Sequence, residues 1–157
     1  MSELPNQEPA FVAVAANDPA VQSAHNLAAS TIPLFLEHIH RPGDHISSVK
    51  LKFRDPNVSA VEGNEQHLYI WLSNTQFDSG EDTYFAQFFE VPEQLHEWHH
   101  VGQQLSFDME DVFDWMVNDD GFVHGGFTLR LQQRDMTSSE IGEHNDYIGV
   151  KEWAPVP

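Results

Sequence analysis

The chain has no cysteine. That absence excludes disulfides, thiolate nucleophiles and cysteine-based zinc sites together, and a reducing cytoplasm is the expected location. Long apolar runs are missing too: nothing approaches the ~20 consecutive residues of a membrane-spanning helix, so no membrane association is expected. The first ten residues carry Glu3 and Glu8 and no base, the wrong charge for the start of a secretory signal. Basic residues are scarce, with seven Lys and Arg against twenty-five Asp and Glu, a formal net charge of −18. A field of that sign repels phosphate backbones and anionic lipid, so nucleic acid is not an expected partner. Phosphate loops, dinucleotide fingerprints, nucleophile elbows and Asp-rich calcium loops are all absent from the sequence. The expectation is therefore a protein that is not an enzyme and carries no cofactor.

What the chain does have is apolar bulk and unevenly placed acid. Its 157 residues include eleven Phe and four Trp, enough large side chains for one packed core. Between Pro56 and Leu129 there are fourteen acids and no Lys or Arg. The bases cluster at Arg41–Arg54 and Arg130–Arg134, with Lys151 apart from both. One reading is solubility alone; the functional reading is an acidic surface for a basic partner, which it attracts over roughly 8–10 Å.

Periodicity divides the chain into an arm at 1–17, a domain at 18–134 and an extension at 135–157. Asp18-Pro19 is a helix start, and Ala20, Val21, Ala24, Leu27 and Ala28 follow at helical spacing. Thr31 and Pro33 restart the pattern, and Pro42-Gly43 ends it. From Ile46 the period becomes two: Val49, Leu51 and Phe53 face inward while Lys50, Lys52 and Arg54 form a basic outer face. Leu68, Ile70 and Leu72 make the next inward set, leaving Tyr69 and Trp71 outward. A loop over Asn74–Asp82 then leads to an aromatic strand from Thr83 to Val91. Further strands are expected at Gln104–Phe107 and at Phe127–Leu131, with a hairpin turn at Asp119-Asp120-Gly121. The fold class is α+β, one or two N-terminal helices packed on a curved antiparallel sheet of five to six strands.

Ten histidines raise the question of metal. On a helix His96 and His100 would share a face, with His99, Glu93 and Glu97 beside them, a spacing able to ligate zinc. No distant further ligand can be named, and the connector is short. His38, His40 and His45 form a second group at a helix end, where imidazolium suits the C-terminal dipole. Solvated histidines in an acidic protein are the expected case, and no metal site is assigned.

One constellation is more specific. Asp114-Trp115-Met116 is followed by Asp119-Asp120-Gly121 and then by Gly125-Gly126-Phe127-Thr128-Leu129-Arg130. In these elements, and in Glu65–Trp71, Gly102–Phe107 and Thr31–Leu36, the chain resembles the YegJ-like bacterial domain of unknown function, family 2314. The resemblance covers roughly 20–132. It implies a small α+β fold and no particular chemistry. Read physically, Asp114, Trp115, Gly125, Gly126 and Arg130 form a structural corner: the glycines allow close approach, Trp115 packs on them, and Asp114 pairs with Arg130 across a hairpin.

The surface is then left to carry function. The leading expectation is a module that docks or neutralises a basic protein, in its most concrete form an immunity protein acting on a bacterial toxin. The expected contacts are Asp119, Asp120, Glu93 and Glu97, with Tyr69, Trp71 and Trp98 as aromatic anchors. The alternative is a small-molecule or metal-binding accessory domain, with Trp115, Gly125, Gly126 and the histidines lining its site.

Overall fold

The computed structural model describes residues 18–54 and 67–157. The expected N-terminal arm, Glu62 and Glu65 lie outside the described residues. Helix α1 (Pro19–Ser30) opens as the Asp-Pro signal requires, the Asp18 carboxylate accepting the Ala20 N–H at 2.8 Å. Thr31 separates it from α2 (Ile32–His40) and donates its hydroxyl to the Leu27 carbonyl at 2.7 Å.

Seven strands follow in one open sheet: β1 (Ile46–Arg54), β2 (His67–Asp78), β3 (Thr83–Phe88), β4 (Gln104–Phe107), β5 (Asp114–Asp119), β6 (Phe122–Gly125) and β7 (Glu152–Trp153). Their order is β4-β3-β2-β1-β5-β6-β7. All neighbours are antiparallel except β6 and β7, which are parallel, so the α+β sheet is mixed rather than wholly antiparallel. Residues 74–78, expected in a loop, continue β2 past an irregularity between Ser73 and Gln76, and the turn to β3 is correspondingly tight. The Asp119-Gly121 hairpin turn places Asp120 at φ 52° and Gly121 at φ 93°, the left-handed region such residues tolerate.

Two further helices correct the reading of the C-terminal third. Phe127–Leu131, expected as a strand, is helical: α3 spans Phe127–Gln133. The period-two pattern misleads because this short helix buries residues on two sides. Phe127 joins the main core beside Trp115, while Leu129 joins a second cluster with Trp71, Met116, Val123 and Val150. The segment 135–157, expected as a surface extension, supplies α4 (Ser138–Ile148) and the edge strand β7. Thr137 and Glu140 form a reciprocal capping box at the start of α4. Gly149 closes the helix at φ 77°.

The sheet is thus covered on both faces. One face carries Val49, Leu51, Ile70, Leu72, Ala86, Trp115 and Val117 against α1 and α2. The other carries Lys50, Trp71, Asp114 and Met116 beneath α3 and the chain around Val150. Two expectations of exposure are overturned: Trp71 and Lys50 are buried beneath that second cover, so Lys50 is not part of a basic outer face, and Tyr69 is buried against the Phe113 ring at 4.5 Å.

Candidate functional site

The Asp114–Arg130 motif builds the corner between β5, β6 and α3. Gly125 and Gly126 have φ of 75° and 65°. A Cβ on Gly125 would collide with the Trp115 carbonyl and ring, and one on Gly126 would lie 2.8 Å from the Trp153 ring. Trp115 is fully buried, stacks on Phe35 at 5.2 Å, and donates its indole N–H to Thr31 Oγ1 at 3.0 Å. The corner is filled, with Phe35 and Phe127 against Trp115 and the Trp153 ring against Gly126.

The expected Asp114–Arg130 ion pair is also replaced. Arg130 donates to the carbonyls of Gly125 and Ala154, both at 2.8 Å, and lies over the Trp153 ring at 4.8 Å. Asp114 is fully buried and lies opposite Lys50 in the β1–β5 register. Its carboxylate accepts from the backbone N–H groups of Trp115, Phe127 and Thr128 at 2.8, 3.3 and 2.8 Å, and from the Thr128 hydroxyl at 2.6 Å. Lys50 Nζ donates to the same Thr128 oxygen at 3.1 Å, between the Trp71 and Phe113 rings. Asp114 thereby caps α3, whose own N-cap residue, Gly126, has no side chain to do so. Burial pushes Lys50 down to about 8, opposed by Asp114. Burial pushes Asp114 up, opposed by its hydrogen bonds from Thr128.

The histidines do not assemble a metal centre. Residues 96–100 follow a single 3-10 turn, Glu93–Leu95, rather than a helix, so His96 and His100 do not share a helical face. His96 Nε2 meets the Val91 carbonyl at 2.9 Å, and His99 stacks on Phe88 at 4.8 Å. Among the described residues, no three His, Cys, Asp or Glu side chains are grouped to hold a metal. His38 instead meets the His124 ring at a tilted 4.5 Å, near Arg41, and burial followed by its His124 and Arg41 neighbours lowers it to about 4. Burial likewise lowers His124. His40 meets the Tyr84 hydroxyl at 2.8 Å.

Strand registers gather the turns at one end of the sheet. Ile46 pairs with Asn118, Asp78 with Thr83, Tyr84 with Phe107, and Asp119 with Phe122. The start of β1, the β2–β3 turn, the end of β4 and the β5–β6 turn therefore share that end. Asp44, Asp78, Glu81, Asp82, Asp108, Asp119 and Asp120 sit on it, all exposed except the half-exposed Asp78. Arg41 and Lys151 are the bases there, placed against Asp119 at 3.4 Å and Asp120 at 3.8 Å. Ile46, Phe77 and Phe122, each at least 37% exposed, stand among the acids. The expected contact set is divided by this geometry. Asp119 and Asp120 are at this end, whereas Glu93, Glu97 and the half-exposed Trp98 follow the opposite end of β3, and Trp98 lines a shallow hollow with Phe53, Arg54 and His99.

Two other hollows are present. One of about 580 Å³ is bordered by His25, Tyr69, Phe113, Lys52, Glu110 and Asp111. The other, about 230 Å³, is an apolar slot on the sheet face under α3 and α4. Its floor is Ile46, Ser48, Trp71, Ser73, Met116 and Asn118 from three adjacent strands; Phe89, Leu129, Tyr147 and Ile148 wall it. The Tyr147 hydroxyl is bonded to the Glu90 carboxylate, which ties the end of α4 to the chain leaving β3. The sequence held one signal for this slot: Ile46 is an apolar residue on the same strand parity as Ser48 and Lys50. Tyr147 had none, because its helix was not foreseen.

A family model for bacterial proteins, described as "Uncharacterized protein conserved in bacteria (DUF2314)", matches residues 18–151. The chain belongs to that family. The DUF2314 match starts at the α1 cap and runs through α3 and α4, so the segment after Asp135 lies largely within the family's span rather than departing from it. No curated protein and no solved structure matches the chain. Among the described residues no helix is long and apolar enough to cross a membrane.

Proposed function

We propose that this protein is a non-enzymatic binding module that docks a basic protein partner on the acidic end of its sheet. The observation that carries this reading is the mixture found there. Acids from four separate chain segments converge, and the exposed apolar side chains Ile46, Phe77 and Phe122 stand among them. Interfaces with that anatomy use long-range attraction to speed encounter and a few desolvated apolar anchors to hold the complex. In its most specific form the partner is a basic toxin or effector that the chain neutralises, as an immunity protein does. Filling of the Trp115–Gly126 corner counts against the small-molecule alternative, since that corner was its site.

The test is affinity capture with the full chain at low salt, followed by kinetic measurement on whichever basic protein is retained. Asp78→Asn, Asp82→Asn and Asp120→Asn combined should slow association at least tenfold and flatten its salt dependence, while dissociation changes little. A partner that binds this triple variant at the wild-type rate would refute the proposal.

A further inference from the structure

The apolar slot adjoins this acidic end but lies on the sheet face rather than at its tip, and it has its own chemistry. Ile46 is 49% exposed and Phe89 41% exposed at its rim, both large apolar side chains left in water at the mouth of a concave surface. Its volume of about 230 Å³ falls below the ~300–1,000 Å³ of pockets that enclose whole small molecules. It is sized for one inserted side chain. Charge identifies what would carry that side chain. Asp44, Glu90 and Asp146 each lie within two residues of a lining residue, hence with Cα atoms within about 7 Å of one along the chain. Asp44 and Asp146 are exposed. The nearby bases are turned to other work: Lys50 is buried against Thr128, Arg130 is held by backbone carbonyls, and Arg41 and Lys151 lie against Asp119 and Asp120.

The geometry points to the slot as the anchor site for one large apolar side chain, leucine or phenylalanine in size, projecting from a basic segment of the partner. This assignment rests on the acidic-end reading for the charge of that segment, and on the slot alone for its apolar residue. The anchor buries against Trp71 and Met116 on the floor and between Phe89 and Tyr147 at the walls. Lysine or arginine residues flanking it in the partner meet Asp44 and Asp146.

The probes are capped heptapeptides of lysine with either leucine or alanine at the centre, and a glutamine heptapeptide with central leucine. Binding is measured by calorimetry, with the Met116 methyl resonance followed by NMR. The leucine lysine peptide should bind about tenfold to a hundredfold more tightly than its alanine counterpart, the ~1.5–3 kcal/mol of one buried Leu side chain at ~1.4 kcal/mol per tenfold. It should also shift the Met116 methyl. Ile46→Ser and Phe89→Ser, both at exposed positions and tolerable to the fold, should each shrink that preference severalfold without changing the binding of the alanine peptide. Equal binding of the leucine and alanine lysine peptides overturns the slot assignment and leaves the acidic-end reading standing. Equal binding of the lysine and glutamine leucine peptides overturns the acidic-end reading and the basic character of the occupant. A leucine preference that persists in Phe89→Ser and Ile46→Ser with no movement of Met116 places the anchor elsewhere and also overturns the assignment.

Discussion

Replacing Asp114 by Asn removes one charge from the centre of the fold while keeping the side chain's shape. In the native protein that carboxylate faces three backbone N–H groups and the Thr128 hydroxyl, and it balances Lys50 across the β1–β5 pair. With Asn the Lys50 ammonium is left buried without a counter-charge, a loss of ~3–5 kcal/mol for breaking a buried pair from one side. The α3 N-terminus also trades an ionic cap for a neutral one, within the ~0.5–2 kcal/mol range of cap losses. The reverse change, Lys50→Met, should cost less, about 1–2 kcal/mol, because Asp114 keeps all four donors and the positive end of the helix. The two effects should therefore be unequal, and the double variant should fall short of their sum by ~1–3 kcal/mol. Urea unfolding followed by tryptophan fluorescence is the assay. With a slope near ~2 kcal/mol/M the two losses together should lower the Asp114→Asn midpoint by ~2–3.5 M. A fall below ~0.5 M, or additivity of the two single changes, would show that the pair does not organise this corner.

Gly125→Ala should destabilise by ~3 kcal/mol or more, since it combines a left-handed backbone with a clash against the Trp115 carbonyl and ring; loss of less than ~1 kcal/mol by chemical unfolding would contradict the close approach. His38, lowered to about 4 from 6.5, binds fewer protons folded than unfolded, so its stabilisation is present above pH 6.5 and is lost as pH falls through 4. His124 and His144, also lowered by burial, act in the same direction. Thermal unfolding between pH 7 and 4 should show Tm falling, and His38→Gln should flatten that slope; an unchanged slope would sink the assignment to His38. Raising NaCl from ~10 to ~200 mM should increase Tm by a few degrees. Screening relieves repulsion in a chain of net charge −18, whereas the exposed Arg41–Asp119 and Lys151–Asp120 pairs contribute only ~0–1 kcal/mol each. A fall in Tm would mean that those pairs outweigh the repulsion.

The two helices at the start and the strands from Ile46 to Phe107 were legible because each buries a stripe or a parity, and periodicity reports that directly. The second face of the sheet was not legible. Lys50, Tyr69 and Trp71 sit on the parity that a one-sided sheet leaves to solvent; α3 and α4 cover Lys50 and Trp71, and Phe113 covers Tyr69. The failure at α3 has a local cause as well. Its cap comes from Asp114, thirteen and fourteen residues before the N–H groups it accepts, so no capping signal precedes the helix in sequence. Gly125-Gly126 was the available clue, since two consecutive left-handed residues end a strand and the apolar run behind them needs a new direction. Of the candidate contacts, the turn acids could be placed from the Asp-Asp-Gly hairpin. Their neighbours on the same sheet end depend on registers that no short window contains.

Placing Asp114, Thr128 and Lys50 under α3 also separates the folding motif from the surface. Every polar atom the motif offers is taken by a neighbour within the corner, and the Trp115 ring is sealed by Phe35, Phe127 and Gly125. The residues most distinctive in the sequence are thus the least available to a partner. The acids at the other end of β5 are under the opposite constraint. Among the described residues, Asp119 and Asp120 are the members of those seven acids that meet a base in a salt bridge, and the mutual repulsion of the set weakens the fold in the absence of salt. A surface that costs stability by itself and gains when cations cover it is stabilised by a basic partner in the same way. Complex formation should then raise Tm most at low ionic strength, where the free chain is weakest, and the gain should shrink as salt takes over the screening.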